Sequence, residues 1–204
     1  MARYTGPRLK VMRALGIDLP GLSRKSIEKR PYPPGQHVNS RSMRKSDFGL
    51  KLQEKQKLRF NYGISERQLR RLMLDARCAN APTGEKLLEL LERRLDNVVF
   101  RAGFAPTIAA ARQLVNHRHV LLNGHTATIA SLRTRVGDQV SLHSRAANRP
   151  LILETWHHPA LTRPDWLAID NEKRLVTITH LPESDSVPFP IDIQKVIEYY
   201  AQRL

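Results

Sequence analysis

Apolar side chains recur at the helical period between Ser46 and Ala102, and this pattern limits the possible folds more than any other feature of the chain. Ser46 is expected to cap the first helix, and Ser65 and Gln68 have the spacing of a capping box at the start of the second. The segment therefore predicts a helical subdomain. Its three helices are expected at about 46–60, 65–79 and 85–102.

After the third helix the pattern changes to a short helix followed by strands. Thr107 is expected to cap this helix, and Asn123-Gly124 strongly indicates a two-residue hairpin because both positions tolerate a positive φ. The return strand is predicted to include Thr126 and Thr128, and a further turn and strand are predicted within 136–142. Two later segments are also predicted: a strand at 175–179, and a strand or a helix at 191–200.

The chain carries a large excess of positive charge, which is unevenly distributed. Its 204 residues include 34 lysines and arginines against 19 aspartates and glutamates, a net charge of +15. Residues 1–60 hold 15 basic and 4 acidic side chains, 101–150 hold 7 and 1, and the last 54 hold 5 and 8. No acidic residue occurs from Ala102 through Val136. Ordinary solvated surface mixes both signs, so the two basic zones are interpreted as binding surface for a polyanion, most commonly nucleic acid.

The short helix before the hairpin ends in polar and basic residues. At 3.6 residues per turn, Leu114 and Val115 are expected to face the core, whereas Arg112, Asn116 and His119 point away. Cations, an amide and an imidazole at a helix end beside a hairpin suit contacts with phosphates and 2′-hydroxyls. A solvated helix face is the alternative, which the absence of nearby acidic residues weakens.

The basic zone 1–60 has two interpretations. It shows no clear apolar core, so it is expected either to order on RNA or to serve as a disordered tail that improves solubility. Tyr4, Tyr32 and Pro33-Pro34-Gly35 favour a defined, docked path, because aromatic and stiff residues suit one.

Motifs for catalysis, metal binding and membrane insertion are missing from the sequence. The single cysteine, Cys78, excludes a disulfide framework and is interpreted as a small buried or half-buried side chain rather than a nucleophile. His117-Arg118-His119 and His157-His158 lack the i, i+4 spacing of a helical metal site. There is neither a Walker A nor a G-x-G-x-x-G loop, no apolar run of about 18 residues and no signal peptide. We therefore expect a soluble protein of a reducing compartment, without enzymatic activity, metal or cofactor.

Several motifs resemble a known family. Residues 91–105, 111–117 and 120–124 resemble the RNA-binding module named after small-subunit ribosomal protein four, a module that RNA-modifying enzymes also carry. Further motifs, in order along nearly the whole chain, resemble the bacterial-type family of that ribosomal protein. They are Met1-Ala2-Arg3-Tyr4-Thr5-Gly6-Pro7, Tyr32-Pro33-Pro34-Gly35-Gln36-His37, Ser46-Asp47-Phe48-Gly49, Glu54-Lys55-Gln56-Lys57-Leu58, Tyr62-Gly63-Ile64-Ser65-Glu66-Arg67-Gln68 and Val196-Ile197-Glu198-Tyr199-Tyr200.

The resemblance implies an α+β fold, in which a mainly helical first domain carries an inserted RNA-binding module of two helices and a small curled β-sheet. The final helix is then expected to return to the first helical subdomain. The implied segments are a basic extension at 1–45, the helical subdomain at 46–91 completed by about 190–204, the module at 92–157, and short strands and loops at 158–190.

The resemblance also implies a non-enzymatic constituent of the small ribosomal subunit. Such proteins are primary binders of a multi-helix junction in the 5′ domain of small-subunit rRNA and nucleate assembly of the subunit body. With neighbouring small-subunit proteins they contribute to decoding accuracy, and they line the channel through which mRNA enters. The implied location is the ribosome in the cytoplasm, with the plastid stroma left open.

Candidate contacts follow from the basic faces and the resemblance together. Specificity is expected to come from the shape of a junction, with arginines reading phosphate geometry rather than base edges. The candidates for rRNA binding are Arg3, Arg8, Lys10, Lys51, Lys55, Arg59, Arg67, Arg70, Arg71, Arg94, Arg112, Asn116, His117 and Arg118. The candidates for a loop that extends toward incoming mRNA are Arg41, Arg44 and Lys45.

The sequence departs from the family pattern in three respects, and two other functions compete. Val38 and Arg118 stand where members usually or often have glycine, and Arg118 is expected to add a phosphate contact. The N-terminal cysteines that bind zinc in some members are absent. An RNA-modifying enzyme would need a catalytic domain, for which only about sixty residues remain after the last predicted strand of the module, near 145. A stress-type RNA chaperone with the same module would bind free RNA but not subunits.

Overall fold

The computed structural model describes residues 4–35 and 45–201, and the chain divides into two compact units. The first unit comprises residues 1–87 and 189–204, and the second comprises 88–188. The described helices and strands are, in chain order, α1 (Arg8–Leu15), α2 (Asp47–Asn61), α3 (Glu66–Arg77), α4 (Thr83–Glu92), α5 (Leu95–Arg101), α6 (Ile108–Asn116), β1 (Val120–Leu122), β2 (His125–Thr126), β3 (Gln139–Leu142), α7 (Ser144–Ala147), α8 (Pro150–His157), β4 (Leu167–Asp170), β5 (Leu175–Ile178) and α9 (Ile193–Ala201). A single 3-10 turn at Ser184–Ser186 precedes α9. The predicted α+β fold class is thereby confirmed.

Local signals placed the helix starts of the first unit correctly. The Ser46 hydroxyl accepts the Gly49 N–H at 3.3 Å and caps α2. The capping box of α3 is complete: the Ser65 hydroxyl accepts the Gln68 N–H at 3.3 Å, and the Gln68 side chain accepts the Ser65 N–H at 3.1 Å. The apolar face of α3 is buried, as its period predicts. The buried residues of this face are Leu69, Leu72, Met73 and Ala76.

The final segment is a helix, α9, which packs along α2 in the first unit. The rings of Phe48 and Tyr199 lie 5.9 Å apart, and the Lys51 ammonium lies 3.0 Å from the Glu198 carboxylate. The expected return of the last helix to the first helical subdomain is therefore confirmed, and the second unit, 88–188, is an insertion that begins within α4 and ends before α9.

The predicted helix at 85–102 is wrong in one respect, because it is two helices, α4 and α5, broken at Arg93 and Arg94. Arg94 has an extended backbone (φ −67°, ψ 136°) and forms an isolated bridge with Arg133. The N–H groups of Leu95 and Asp96 donate to loop carbonyls at 129–134 rather than to the preceding turn. The break therefore depends on a segment some 35 residues away, which helical periodicity does not report.

The second unit contains a five-stranded antiparallel sheet of order β2-β1-β3-β5-β4. Asn123 and Gly124 both have positive φ, 51° and 79°, which confirms the hairpin between β1 and β2. The return strand is shorter than predicted, because β2 ends at Thr126 and Thr128 lies outside it. The sheet also draws β4 and β5 from the segment after the predicted module, since Val140 of β3 pairs with Val176 of β5.

Candidate nucleic-acid interface

A corner of the second unit gathers imidazole and guanidinium groups at the end of α6. Thr107 caps this helix through the Ala110 N–H, as predicted. Val115 is buried, whereas Leu114, which was also expected to face the core, is half-buried. Its last turn runs into exposed polar residues. We call the following set the α6 corner: Asn116, His117, Arg118, His119, His143, Arg145 and Arg149. Asn116 is exposed, as predicted, and so are His117 and Arg118, whereas His119, which was also expected to point away from the core, is half-buried.

The backbone at Arg118 places an exposed cation at the tip of this corner. Its φ of 62° is in the left-handed region, which residues other than glycine and asparagine rarely adopt. The Arg118 N–H donates to the Val115 carbonyl at 3.0 Å and ends the helix. The chain therefore holds arginine at a position that favours glycine, and its guanidinium stays exposed.

His143 joins this corner because β3 pairs with β1. Its N–H donates to the His119 carbonyl at 2.9 Å, and its Nδ1 accepts the Arg145 N–H at 3.3 Å at the start of α7. The rings of His117 and His119 lie 6.2 Å apart. With Nδ1 accepting, a neutral His143 carries its proton on Nε2, which is left to donate.

The electrostatics of the corner are those of an anion site. Burial lowers the pKa of His119 below its ordinary value of 6.5, and the positive charges of Arg149, His117 and His143 lower it further. Repulsion among these groups means that a bound anion would favour protonation of the imidazole. The corner therefore offers several hydrogen-bond donors and a concentration of positive charge that a bound phosphate would neutralise.

Arg112 lies elsewhere, and the prediction that it points away from the core is wrong. Its side chain is 6% exposed, and Nε and Nη2 donate to one oxygen of Asp96 at 3.1 and 2.6 Å. Position 112 is one turn after the buried Ile108, so it faces the core side of α6. Arg112 is thus part of the interior of the second unit.

Arg94 is also buried, although it was a candidate surface contact. It is 4% exposed and donates to the two Asp96 oxygens from Nε and Nη2, at 3.1 and 2.9 Å. Asp96 itself has no exposed surface and accepts the Asn97 N–H as well. A buried carboxylate that pairs with two guanidiniums explains both arginines without any external ligand.

In the first unit, α3 presents arginines on the side opposite its buried face. Arg67, Arg70 and Arg71 are all exposed, as is Arg77 at the end of the helix. Arg8 is exposed and donates to the Leu22 carbonyl at 3.3 Å. These residues and the exposed Lys10 keep the surface positions that their sequence pattern predicted.

The candidates on α2 are less available than the sequence implied. Lys55 is 4% exposed, and its ammonium lies 2.8 Å from Glu66 and 4.8 Å from the centre of the Tyr199 ring. Lys51 pairs with Glu198 of α9, and Arg59 donates to Gln56 at 3.1 Å. The return of α9 therefore covers Lys55 and pairs Lys51 with an acid.

Glu66 and Tyr200 complete that contact. Burial acts to raise the pKa of Glu66, but hydrogen bonds from Lys55 and Tyr200 and the charge of Lys55 outweigh it, so the net shift is downward. The Tyr200 hydroxyl donates to Glu66 Oε1 at 2.7 Å. Burial and this acceptor raise the pKa of Tyr200 well above its ordinary value of 10.0.

Three candidates fall outside the described residues: Arg3, Arg41 and Arg44. Lys45, the remaining candidate for contact with mRNA, is exposed and donates to Gln53. Cys78 is exposed at the end of α3, so the prediction of a buried or half-buried thiol is wrong; the apolar face of that helix ends at Ala76.

Sequence reasoning missed His143, Arg145 and Arg149 as members of the corner. They lie more than 20 residues after His119 and reach it through strand pairing, which no local spacing reports. The lack of acidic residues through Val136 was the one signal that pointed to this region. Among residues 4–35 and 45–201, no three His, Cys, Asp or Glu side chains are grouped to hold a metal ion. No helix in the same ranges is long and apolar enough to cross a membrane.

Comparison with known proteins gives matches over the whole chain. Residues 3–92 match the model of the ribosomal protein S4/S9 N-terminal domain, and residues 93–140 match that of the S4 domain. The chain is 66% identical to small ribosomal subunit protein uS4 of Methylobacillus flagellatus over 205 aligned positions, which cover both chains completely. It is 63% identical to uS4B of Nitrosomonas europaea and 49% identical to uS4 of Synechococcus elongatus, again over the full length of both chains.

Proposed function

The chain belongs to the bacterial-type family of small ribosomal subunit protein uS4, and from this premise we propose that it is a primary rRNA-binding protein of the small subunit. In this proposal it binds a helical junction in the 5′ domain of the rRNA and nucleates assembly of the subunit body. Its partners are that rRNA and neighbouring small-subunit proteins, and its place is the ribosome.

The α6 corner is the observation that carries this proposal. Five of its residues, Asn116, His117, Arg118, Arg145 and Arg149, are exposed, and no acidic residue occurs from 102 through 136. Two of its histidines and Arg149 act on the pKa of a third imidazole, so the positive charge is concentrated rather than scattered. RNA phosphates and 2′-hydroxyls are the ligands that such a set of donors accommodates.

The first unit contributes a second basic surface in this proposal. Arg67, Arg70 and Arg71 of α3, with Arg8 and Lys10 of α1, would contact the RNA backbone from exposed positions. Arg94, Arg112 and Lys55 are assigned a different role: they hold the interiors from which these surfaces project. Arginine suits the exposed contacts with the RNA backbone, because the planar fork of donors on its guanidinium matches phosphate geometry.

Binding of the purified chain to a 5′-domain fragment of small-subunit rRNA tests the proposal. Nanomolar affinity is expected, with a steep fall as salt rises, because phosphate contacts release counterions. Arg118→Glu and Arg149→Glu should each weaken binding by about 10- to 100-fold, since a lost charge-assisted hydrogen bond is worth about 1.5–3 kcal/mol. Lys173→Glu makes the same charge change in the β4–β5 turn and serves as the matched control.

Three outcomes would count against the proposal. Equal affinity for a structured RNA of the same length would favour an RNA chaperone that recognises charge alone. Loss of affinity by the same factor in Lys173→Glu as in Arg118→Glu would remove the α6 corner from the interface. An RNA-modifying enzyme would be indicated by a changed base mass after incubation with the RNA.

The proposed roles in assembly, accuracy and mRNA contact need subunits rather than fragments. Subunits reconstituted with Arg118→Glu should assemble more slowly, because the first RNA contact is weakened. Lys45 is proposed to lie near incoming mRNA, as the family resemblance implies. Lys45→Glu should then change misreading of near-cognate codons in a translation assay. Unchanged misreading would remove Lys45 from that role.

A further inference from the structure

An arginine and a tyrosine of the first unit form a stacked pair at the surface. The guanidinium carbon of Arg13 lies 4.8 Å from the centre of the Tyr32 ring. The same guanidinium donates from Nε to the Tyr32 carbonyl at 3.0 Å, so it fixes the backbone as well as the ring. The Tyr32 side chain is nevertheless 45% exposed. An aromatic surface of this size, supported by a cation, remains accessible to solvent.

The segment around Tyr32 is stiff. Prolines precede and follow it, at 31, 33 and 34, and each fixes its own φ and restricts the residue before it. Arg13 Nη2 also donates to the Pro33 carbonyl at 3.4 Å. A ligand that stacks on this ring therefore meets a side chain whose position is already largely set, and the entropy cost of ordering it is small.

The charge around the pair is strongly positive. Residues 4–35 contain seven lysines and arginines and two acidic residues. Lys29 and Arg30, immediately before Pro31, are both exposed. One of the two acids, Asp18, already accepts hydrogen bonds within the protein, from the Ser26 hydroxyl at 2.7 Å and from the Ile27 N–H at 2.9 Å.

A second exposed tyrosine shows why Tyr32 is distinct. Tyr4 is 43% exposed, but its ring packs edge-on against Phe60 with centroids 5.2 Å apart. That contact occupies the Tyr4 ring with another aromatic side chain of the protein. Tyr32 instead has a cation stacked against its ring, an arrangement that also accepts a nucleobase on an aromatic platform.

We propose that Tyr32 is a stacking site for an unpaired base of RNA, held in place by Arg13, with Lys29 and Arg30 contacting the adjoining phosphates. This inference rests on the proposed rRNA-binding function and adds a site to it. Aromatic rings stack on splayed-out bases in single-stranded loops and bulges, and the nearby cations neutralise the backbone that carries them. An acidic protein partner would use the cations but would leave the ring without a planar ligand.

Tyr32→Leu and Tyr32→Phe test the stacking directly, in the full chain with the 5′-domain rRNA fragment. Tyr32→Leu should weaken binding by about 5- to 150-fold, the range for loss of one base stack. The salt dependence should be unchanged, because no charge is removed. Tyr32→Phe keeps the ring and should bind like the unsubstituted chain. Equal thermal unfolding of the three proteins is expected because the side chain is exposed.

Tyr32→Trp gives a direct optical readout. The two native tryptophans are 4% and 1% exposed, so the unsubstituted chain supplies a background that can be subtracted. Stacking of a base on the new indole should quench its fluorescence as the RNA is added. This variant keeps the inference testable even if Tyr32→Leu is unstable.

The outcomes separate this inference from the function it rests on. Tight binding of the RNA by both the unsubstituted chain and Tyr32→Leu, or no quenching in Tyr32→Trp at saturation, would overturn the stacking site alone. Failure of the unsubstituted chain to bind the fragment would overturn the proposed function and the site with it. Normal RNA affinity in Tyr32→Leu, combined with poor incorporation into subunits, would identify a protein contact and contradict base stacking.

Discussion

Arg112 and Asp96 form a buried ion pair in which two nitrogens of the guanidinium donate to one carboxylate oxygen, at 3.1 and 2.6 Å. Arg94 donates to the same carboxylate, so a single negative charge holds two buried positive ones. Asp96→Asn removes that charge without changing the side-chain volume. We expect it to lower the free energy of unfolding of the second unit by about 3–5 kcal/mol, because unpaired buried charges are costly.

Urea denaturation followed by tryptophan fluorescence checks this expectation, since both tryptophans are buried in the second unit. Asp165→Asn is the matched control: the Asp165 side chain is 84% exposed, and its substitution should cost less than about 0.5 kcal/mol. If Asp96→Asn were no more destabilising than this control, other groups would satisfy the two buried arginines. The ion pairs with Asp96 would then not be what stabilises the interior of the second unit.

Tyr200 and Glu66 make the corresponding polar contact of the first unit. Tyr200→Phe deletes the hydroxyl that donates to Glu66 at 2.7 Å. We expect the free energy of unfolding of the first unit to fall by about 1–2 kcal/mol. This is below the upper range for hydrogen bonds to charged groups, because the Glu66 side chain is 45% exposed and water screens it. Amide hydrogen exchange in α9 measures the loss, and Tyr4→Phe is the control at an exposed tyrosine.

The pH dependence of this loss has a definite sign. The folded pKa of Glu66 lies below its ordinary value of 4.5, so its stabilisation is present above about pH 4.5 and declines as the pH falls through the folded value. Tyr200→Phe brings that pKa back toward 4.5. The stability difference between the two proteins should therefore shrink on acidification, and a constant difference would show that the hydroxyl does not act through the carboxylate.

Local sequence signals were sufficient for helix starts and for the hairpin. The Ser65–Gln68 capping box and the Asn123-Gly124 turn depend on residues within four positions of one another, and both occur as predicted. The break at Arg94 and the pairing of β5 with β3 were missed because each depends on hydrogen bonds to a distant segment. Propensity and period report neighbours along the chain, not partners across a fold.

The predictions for the candidate site also depend on whether a residue's position is set by its neighbours along the chain or by distant partners. Asn116, His117 and Arg118 are exposed, as expected, because they lie at the C-terminal end of a periodic helix. Arg112 was misplaced because a buried acid 16 positions earlier draws it inward. Lys55 behaves in the same way, since Glu66 and the returning α9 cover it. Charge alone therefore identifies the partner class, while the pairing of each cation needs the tertiary structure.

His119 should make the stability of the second unit depend on pH. Its folded pKa is lowered by burial and by Arg149, His117 and His143, so the folded state resists protonation more than the unfolded state. The stability that neutral His119 contributes to the second unit is complete above about pH 6.5 and is lost as the pH falls through the lowered folded pKa. Between pH 7.5 and 5.5, His119→Gln should therefore lose less stability than the unsubstituted chain, measured by urea denaturation.

The same linkage predicts tighter RNA binding in mild acid. Phosphates near His119 favour the imidazolium, so the complex takes up protons and its affinity rises as the pH falls. His119→Gln should reduce this rise, whereas His125→Gln, an exposed substitution in β2, should not. Identical pH profiles for the His119→Gln variant and the unsubstituted chain would place His119 outside the RNA interface.

Arg118 is expected to trade stability for binding. Its φ of 62° imposes a strain that glycine does not have, so Arg118→Gly should raise the free energy of unfolding by about 0.5–1 kcal/mol. The same change removes an exposed cation and should weaken rRNA binding, with a reduction of the salt slope by about one. Arg118→Asn should give the same loss of affinity with a smaller gain in stability.

Arg145→Gly is the matched control, because it also removes a cation of the α6 corner but lies in the helix α7. Glycine in a helix is destabilising by about 0.5–1 kcal/mol, so the two glycine variants should shift stability in opposite directions. A lower stability in Arg118→Gly would show that its guanidinium contributes more to the fold than the strain costs. A variant that has lost a phosphate contact releases fewer counterions when it binds RNA, so its salt slope must be smaller. An unchanged salt slope would therefore show that Arg118 does not contact phosphate.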